Sequence, residues 1–81
     1  MKKTISNAIV NRINMYLGER KISMYEFSQK SGIPYPTMKS IMQKRTKSID
    51  FKIVILLANG LNISPSEFIN DKSFHAENLD I

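Results

Sequence analysis

Cysteine is absent from the 81 residues of this chain. That excludes disulfide staples, thiolate zinc ligands and a thiol nucleophile, and it fits a reducing cytoplasm. Histidine occurs once, as His75, so a histidine-built metal site is not expected and His75 reads as an exposed tail residue. No apolar run exceeds the six residues Ile53-Val54-Ile55-Leu56-Leu57-Ala58, far short of a bilayer span. Met1-Lys2-Lys3-Thr4 looks like the charged start of a signal peptide, but Ser6, Asn7, Asn11, Arg12 and Asn14 interrupt the apolar stretch that such a peptide needs. Internal repeats and low-complexity tracts are also missing. Asp50, Glu26 and Glu67 have a sufficient explanation as helix caps and form no carboxylate pair. A soluble cytoplasmic protein without cofactor or enzyme activity is therefore expected.

What is present is enough for one small domain. Hydrophobic residues make up 42% of the chain, which argues against wholesale disorder. Charge is distributed unevenly. Residues 1–22 carry five basic and one acidic side chain, residues 23–49 again five and one, and residues 50–81 two and five. A front of +8 on a back of −3 is the asymmetry expected of a polyanion binder.

Five short helices can be read along the chain. Ile5, Ile9, Ile13 and Tyr16/Leu17 recur at helical spacing and predict an amphipathic helix from Ser6 to Arg20. Ser23-Met24-Tyr25-Glu26 is a capping box, with Ile22 and Phe27 as its hydrophobic staple, and Gly32 ends that second helix after Ser31. In Ile33-Pro34-Tyr35-Pro36 the residues before proline should be extended, so the third helix opens at Pro36. Its buried face is Met38, Ile41 and Met42; Lys44 to Ser48 follow as a basic loop. Asp50 caps a fourth helix from Phe51 to Leu61, which Asn62 closes in the left-handed conformation. Ser64-Pro65-Ser66-Glu67, with Ile63 and Phe68, starts a fifth that ends near Asn70 or Asp71. Residues 1–71 thus read as the domain and 72–81 as a tail without clear pattern.

Two helices joined at a glycine, the second presenting polar and basic groups outward, fit a helix-turn-helix. From about Ile9 to Ile69 the chain resembles the lambda-repressor-like, or Xre-type, domains. The resemblance lies in Ile22-Ser23-Met24-Tyr25-Glu26-Phe27-Ser28, Gly32-Ile33, Thr37-Met38-Lys39-Ser40-Ile41, Phe51 to Leu61 with Ala58 at the small-residue position, and Ser64 to Phe68. It departs at Leu17 and Met42, which stand where many members bury an arginine–glutamate pair. Joint replacement of such a pair by packed apolar groups is tolerated, so these two side chains are expected to meet. Lys21 and Lys44 stand where glycine is usual. Pro34 and Pro36 replace a Ser/Thr-rich approach to the recognition helix and allow its start to shift by one residue.

The resemblance implies an all-α fold that binds double-stranded DNA and regulates transcription, as a repressor occluding its operator. It places Tyr35, Pro36, Thr37, Lys39 and Ser40 toward bases. Ser23, Met24 (through its backbone amide), Gln43, Lys44, Arg45 and Lys47 are placed against phosphates. Ile53 and Leu56 fall where the family is usually polar, while Phe51, Val54, Ile55, Leu57, Ala58 and Leu61 fall where it is apolar. A helix apolar all round is normally covered, which makes Ile53, Leu56, Phe74, Leu79 and Ile81 a candidate surface for a homodimer or a protein partner. The alternative reading is a protein-interaction module, such as an antitoxin-like protein that binds its partner through helix 4 and the tail.

Overall fold

The computed structural model describes residues 4–44 and 49–80; Arg45, Lys47 and Ile81 lie outside them. The fold is all-α. Helix α1 (Ile5–Arg20) starts where the Thr4 hydroxyl accepts from the Asn7 amide at 3.1 Å and closes on Lys21 at φ 56°. Helix α2 (Met24–Ser31) starts on Ser23, whose Oγ accepts from the Glu26 amide at 3.0 Å, and closes on Gly32 at φ 77°. The Glu26 carboxylate lies 3.7 Å from the Lys30 ammonium, so only the serine half of the capping box forms. Helix α3 covers Tyr35–Met42, α4 Phe51–Gly60 and α5 Pro65–Phe68. Asp50 caps α4 through the Ile53 amide at 3.0 Å, and Ser64 caps α5 through the Glu67 amide at 3.1 Å. Asn62, at φ 59°, turns the chain after α4.

Helix α5 ends at Phe68 rather than near Asn70 or Asp71, and α3 and α4 also depart from expectation. The third helix opens at Tyr35 rather than Pro36, so Tyr35 is helical and not extended. The Met38 amide closes the first turn on the Pro34 carbonyl at 2.9 Å, and Pro36 falls within that turn, where an N–H has no intrahelical acceptor to lose. The fourth helix and its C-cap residue bury Val54, Leu57, Ala58 and Leu61 as expected, but not Phe51 and Ile55. Ile53 and Leu56 are half-buried against the core, whereas Phe51 is 64% and Ile55 44% exposed. With nearly every position of α4 apolar, spacing alone does not fix which stripe turns inward.

The core joins α1 (Ile9, Ile13, Tyr16), α2 (Phe27), α3 (Met38, Ile41), α4 (Val54, Leu57, Ala58), Ile33, Leu61 and Phe68. Leu17 and Met42 are both partly buried against this cluster, from helices α1 and α3 that touch. Helix α4 approaches α2 closely at Gly60. A Cβ there would stand 2.7 Å from the Ser31 Cβ and 2.9 Å from Phe27 Cε1, so the contact needs a residue without a side chain.

Arginines of α1 tie down the far end. The Arg12 side chain, 11% exposed, donates from Nε to the Phe68 carbonyl and from Nη2 to the Glu67 carbonyl, both at 2.8 Å, and lies 3.8 Å from Asp71. Arg20 donates to the Leu61 carbonyl. Both guanidiniums therefore meet the carbonyl ends of helices, α5 and α4, where cations are favoured. They also flank Tyr16, their central carbons 5.0 and 5.1 Å from its ring centroid.

The tail is built onto the domain. Two 3-10 turns, Lys72–Phe74 and Ala76–Asn78, follow Asp71. Asp71 accepts from the Ser73 amide at 3.0 Å and from its hydroxyl at 2.6 Å. Those bonds, helped by Arg12, hold its carboxyl below the usual pKa of 3.8. Phe74 is half-buried, its ring centroid 6.2 Å from that of Phe68, and Leu79 is 6% exposed. Both side chains cover their own domain, which corrects their expected availability to a partner.

Candidate nucleic-acid interface

The α2–turn–α3 unit is fixed by small groups at its bend. Gly32 supplies the left-handed residue, and its amide returns to the Ser28 carbonyl at 3.1 Å. Buried Ser31 donates to the Ser28 carbonyl and accepts from the Ile33 amide, each at 3.2 Å. One hydroxyl thus satisfies a carbonyl of α2 and the first amide beyond the glycine, in a place where an unpaired polar group would be costly. Ile33 then inserts into the core, and Pro34 leads into α3.

On α3 the inward residues are Met38 and Ile41. The outer stripe is Pro36, Lys39, Ser40 and Gln43, residues recurring every three or four positions and therefore on one face. With Tyr35 they line an open cleft of about 390 Å³. Thr37 is exposed but does not line it. Among the described residues no acidic side chain lines the cleft, and Lys39 lies over the Tyr35 ring, its Nζ 5.7 Å from the centroid. The cleft therefore offers an ammonium, a hydroxyl, a primary amide and an aromatic ring that also bears a hydroxyl. These are hydrogen-bond donors and acceptors suited to the polar edges of another molecule.

Of the remaining expected contacts, Arg45 and Lys47 lie outside the described residues. Gln43 and Lys44 are exposed at the C-terminal end of α3, with Lys44 at φ 60°. Ser23 is exposed, with its hydroxyl engaged in the cap. The Met24 side chain packs against the core, which leaves its backbone amide, at the N-terminus of α2, as the group that could face outward.

Sequence reasoning missed one residue here and misassigned two. Tyr25 on α2 meets the Tyr35 ring at a centroid distance of 5.3 Å and an interplanar angle of 73°. No sequence spacing announces that contact, because it depends on how two helices cross. Arg12 and Arg20 counted toward the basic front, yet their guanidiniums are committed to carbonyls within the domain.

Among the described residues no grouping of His, Asp and Glu could hold a metal ion, and no helix is long and apolar enough to cross a membrane. A family model of the Cro/C1-type HTH DNA-binding domain matches residues 12–73, from within α1 to the first 3-10 turn. No curated protein matches the chain significantly.

Proposed function

The chain belongs to the Cro/C1-type helix-turn-helix DNA-binding family, and on that premise we propose that it is a sequence-specific transcriptional regulator of the cytoplasm that represses by occluding its operator. The observation that carries this reading is the acid-free outer stripe of α3, held at a fixed angle by the Gly32–Ser31 turn. A helix of this kind enters the major groove with its outer side chains toward base edges. Lys39 then donates to guanine O6 or N7, and Ser40 bonds a base edge of either polarity. Tyr35 packs on a thymine methyl or donates its hydroxyl, Pro36 makes apolar contact, and Thr37 lies beside them. Gln43, Lys44, Arg45 and Lys47, with Ser23 and the Met24 amide, meet phosphates and set register without reading sequence. Binding is non-covalent, and the protein performs no chemistry on the DNA.

A homodimer would place two such helices about 34 Å apart, on successive major grooves. Phe74 and Leu79 are engaged within the domain, so we assign that contact to the exposed apolar groups Phe51 and Ile55 on α4 and Ile69 after α5, rather than to Ile5 or Met15, which are exposed on α1. The same exposed pair on α4 also keeps the alternative of a protein partner.

Selection from a random duplex library at about 0.15 M salt tests the reading. Enrichment of a two-fold-related motif with half-sites near one helical turn apart supports a sequence-specific dimer. Salt-sensitive binding without an enriched motif removes the sequence-specific part. A monomer in sedimentation at tens of micromolar counts against a preformed dimer.

A further inference from the structure

Tyr25 stands outside every set of contacts assigned so far. It lies in the first turn of α2 and is 57% exposed, yet its ring is not a free surface group. It meets Tyr35 in the near-perpendicular geometry in which the positive edge of one ring faces the negative face of the other. Lys39 reaches the same Tyr35 ring at a distance suited to a cation–π contact. Three side chains from two helices thus form one ridge. Tyr35 and Lys39 also line the α3 cleft, while Tyr25 does not.

We propose that Tyr25 is a positioning residue for base recognition: its ring holds Tyr35 in the direction base contact requires, so preference at the base pairs read by Tyr35 and Lys39 depends on a side chain that touches no base. The inference rests on the DNA-binding reading. Pro34 and Pro36 lock φ on either side of Tyr35, which leaves the Tyr35 ring as the mobile part of that position. An unbraced exposed ring loses rotamer freedom on binding and presents its hydroxyl in several places beforehand. A ring already held from α2 presents it in one. The bracing resides in the ring of Tyr25 and not in its hydroxyl, so phenylalanine substitutes for it and aliphatic residues do not.

The experiment compares the unsubstituted protein with Tyr25→Phe, Tyr25→Ala, Tyr25→Leu, Tyr35→Ala and the Tyr25→Ala/Tyr35→Ala double variant. Each undergoes duplex-library selection, and each is then titrated with salt on the enriched sequence. Tyr25→Ala is expected to lower discrimination about three- to tenfold, at the same base pairs as Tyr35→Ala and with an unchanged salt slope. Tyr25→Leu, which keeps apolar bulk on α2, shows the same loss, whereas Tyr25→Phe retains the original preference. The double variant is no worse than Tyr35→Ala alone, the non-additivity expected of a coupled pair. Uniform weakening of all sequences by Tyr25→Ala and Tyr25→Phe alike overturns the assignment in favour of a phosphate contact through the neutral hydroxyl, which leaves the salt slope unchanged. A selected motif that Tyr25→Ala and Tyr25→Leu both leave intact overturns the assignment alone. Failure of the unsubstituted protein to select any motif overturns the sequence-specific reading and the assignment together, while salt-sensitive binding that persists keeps DNA binding itself.

Discussion

The two ends of the molecule treat cations in opposite ways. On α1, Arg12 and Arg20 grip the carbonyl ends of α5 and α4 and flank Tyr16. On and after α3, Lys39 and Lys44 are exposed and have no acidic partner among the described residues. The planar guanidinium suits the first task, because it serves several carbonyls in one geometry. The compact, well-hydrated ammonium suits the second, where the group stays in water until a partner arrives. Net charge counted along the sequence therefore overstates what is offered to a polyanion. Two of the five basic residues in 1–22 are internal fasteners.

The comparison fails if Arg12 is only a surface charge. Arg12→Ala strips donors from the Phe68 and Glu67 carbonyls and should cost about 2–4 kcal/mol of stability in urea unfolding; a loss below about 0.5 kcal/mol would class it with ordinary exposed pairs. Next in size is Gly60→Ala, which forces a methyl against the Ser31 backbone and should cost about 1–3 kcal/mol, measured in the same way. DNA affinity of the folded fraction should change little in either variant.

The α3 end is sharpened by its own pair of substitutions. Lys39→Ala should remove about 1–3 kcal/mol of discrimination at particular base pairs, read by competition between selected and altered duplexes. Lys44→Ala should weaken all sequences alike and lower the salt slope by about one. An effect of Lys39→Ala spread evenly over every sequence would make it a phosphate contact instead.

The smallest expected effect lies at the tail. Folding lowers the pKa of Asp71, chiefly through the Ser73 hydroxyl and amide. Its contribution is complete above the unfolded value and fades as pH falls through the lower folded one. Stability should therefore decline on acidification below about pH 4, and Asp71→Asn should flatten part of that slope. The carboxylate is 41% exposed, so solvent screening keeps the change modest. Amide exchange at Ser73, followed against pH, isolates it.

Much of the fold is legible in the sequence because its signals are local. Ser23, Asp50 and Ser64 cap the helices they announce, and Gly32 and Asn62 turn where expected. The errors occur where tertiary contact decides. Pro36 signals a helix start to within one residue, and the Met38–Pro34 hydrogen bond selects the earlier one. In α4 the run of apolar residues leaves its orientation to the shape of the core, which takes Ile53 and Leu56 and leaves Phe51 and Ile55 outside. Phe74 and Leu79 read as spare apolar groups because the Arg12–Asp71 attachment that brings the tail home spans distant parts of the chain. Within the candidate interface, the α3 stripe follows from periodicity, whereas the Tyr25–Tyr35 contact follows only from the helix crossing.

Lys21 and Lys44 both adopt the left-handed backbone conformation, at on the order of 1 kcal/mol each relative to an unstrained residue. The molecule therefore sits below the stability its fold allows, by amounts located at two known positions. Lys21→Gly would relieve that strain at the α1–α2 junction, at a residue that does not line the α3 cleft. At Lys44 the same relief would remove a cation from beside the cleft. A search for heat-resistant variants would find both changes, and only the first would leave a competent regulator.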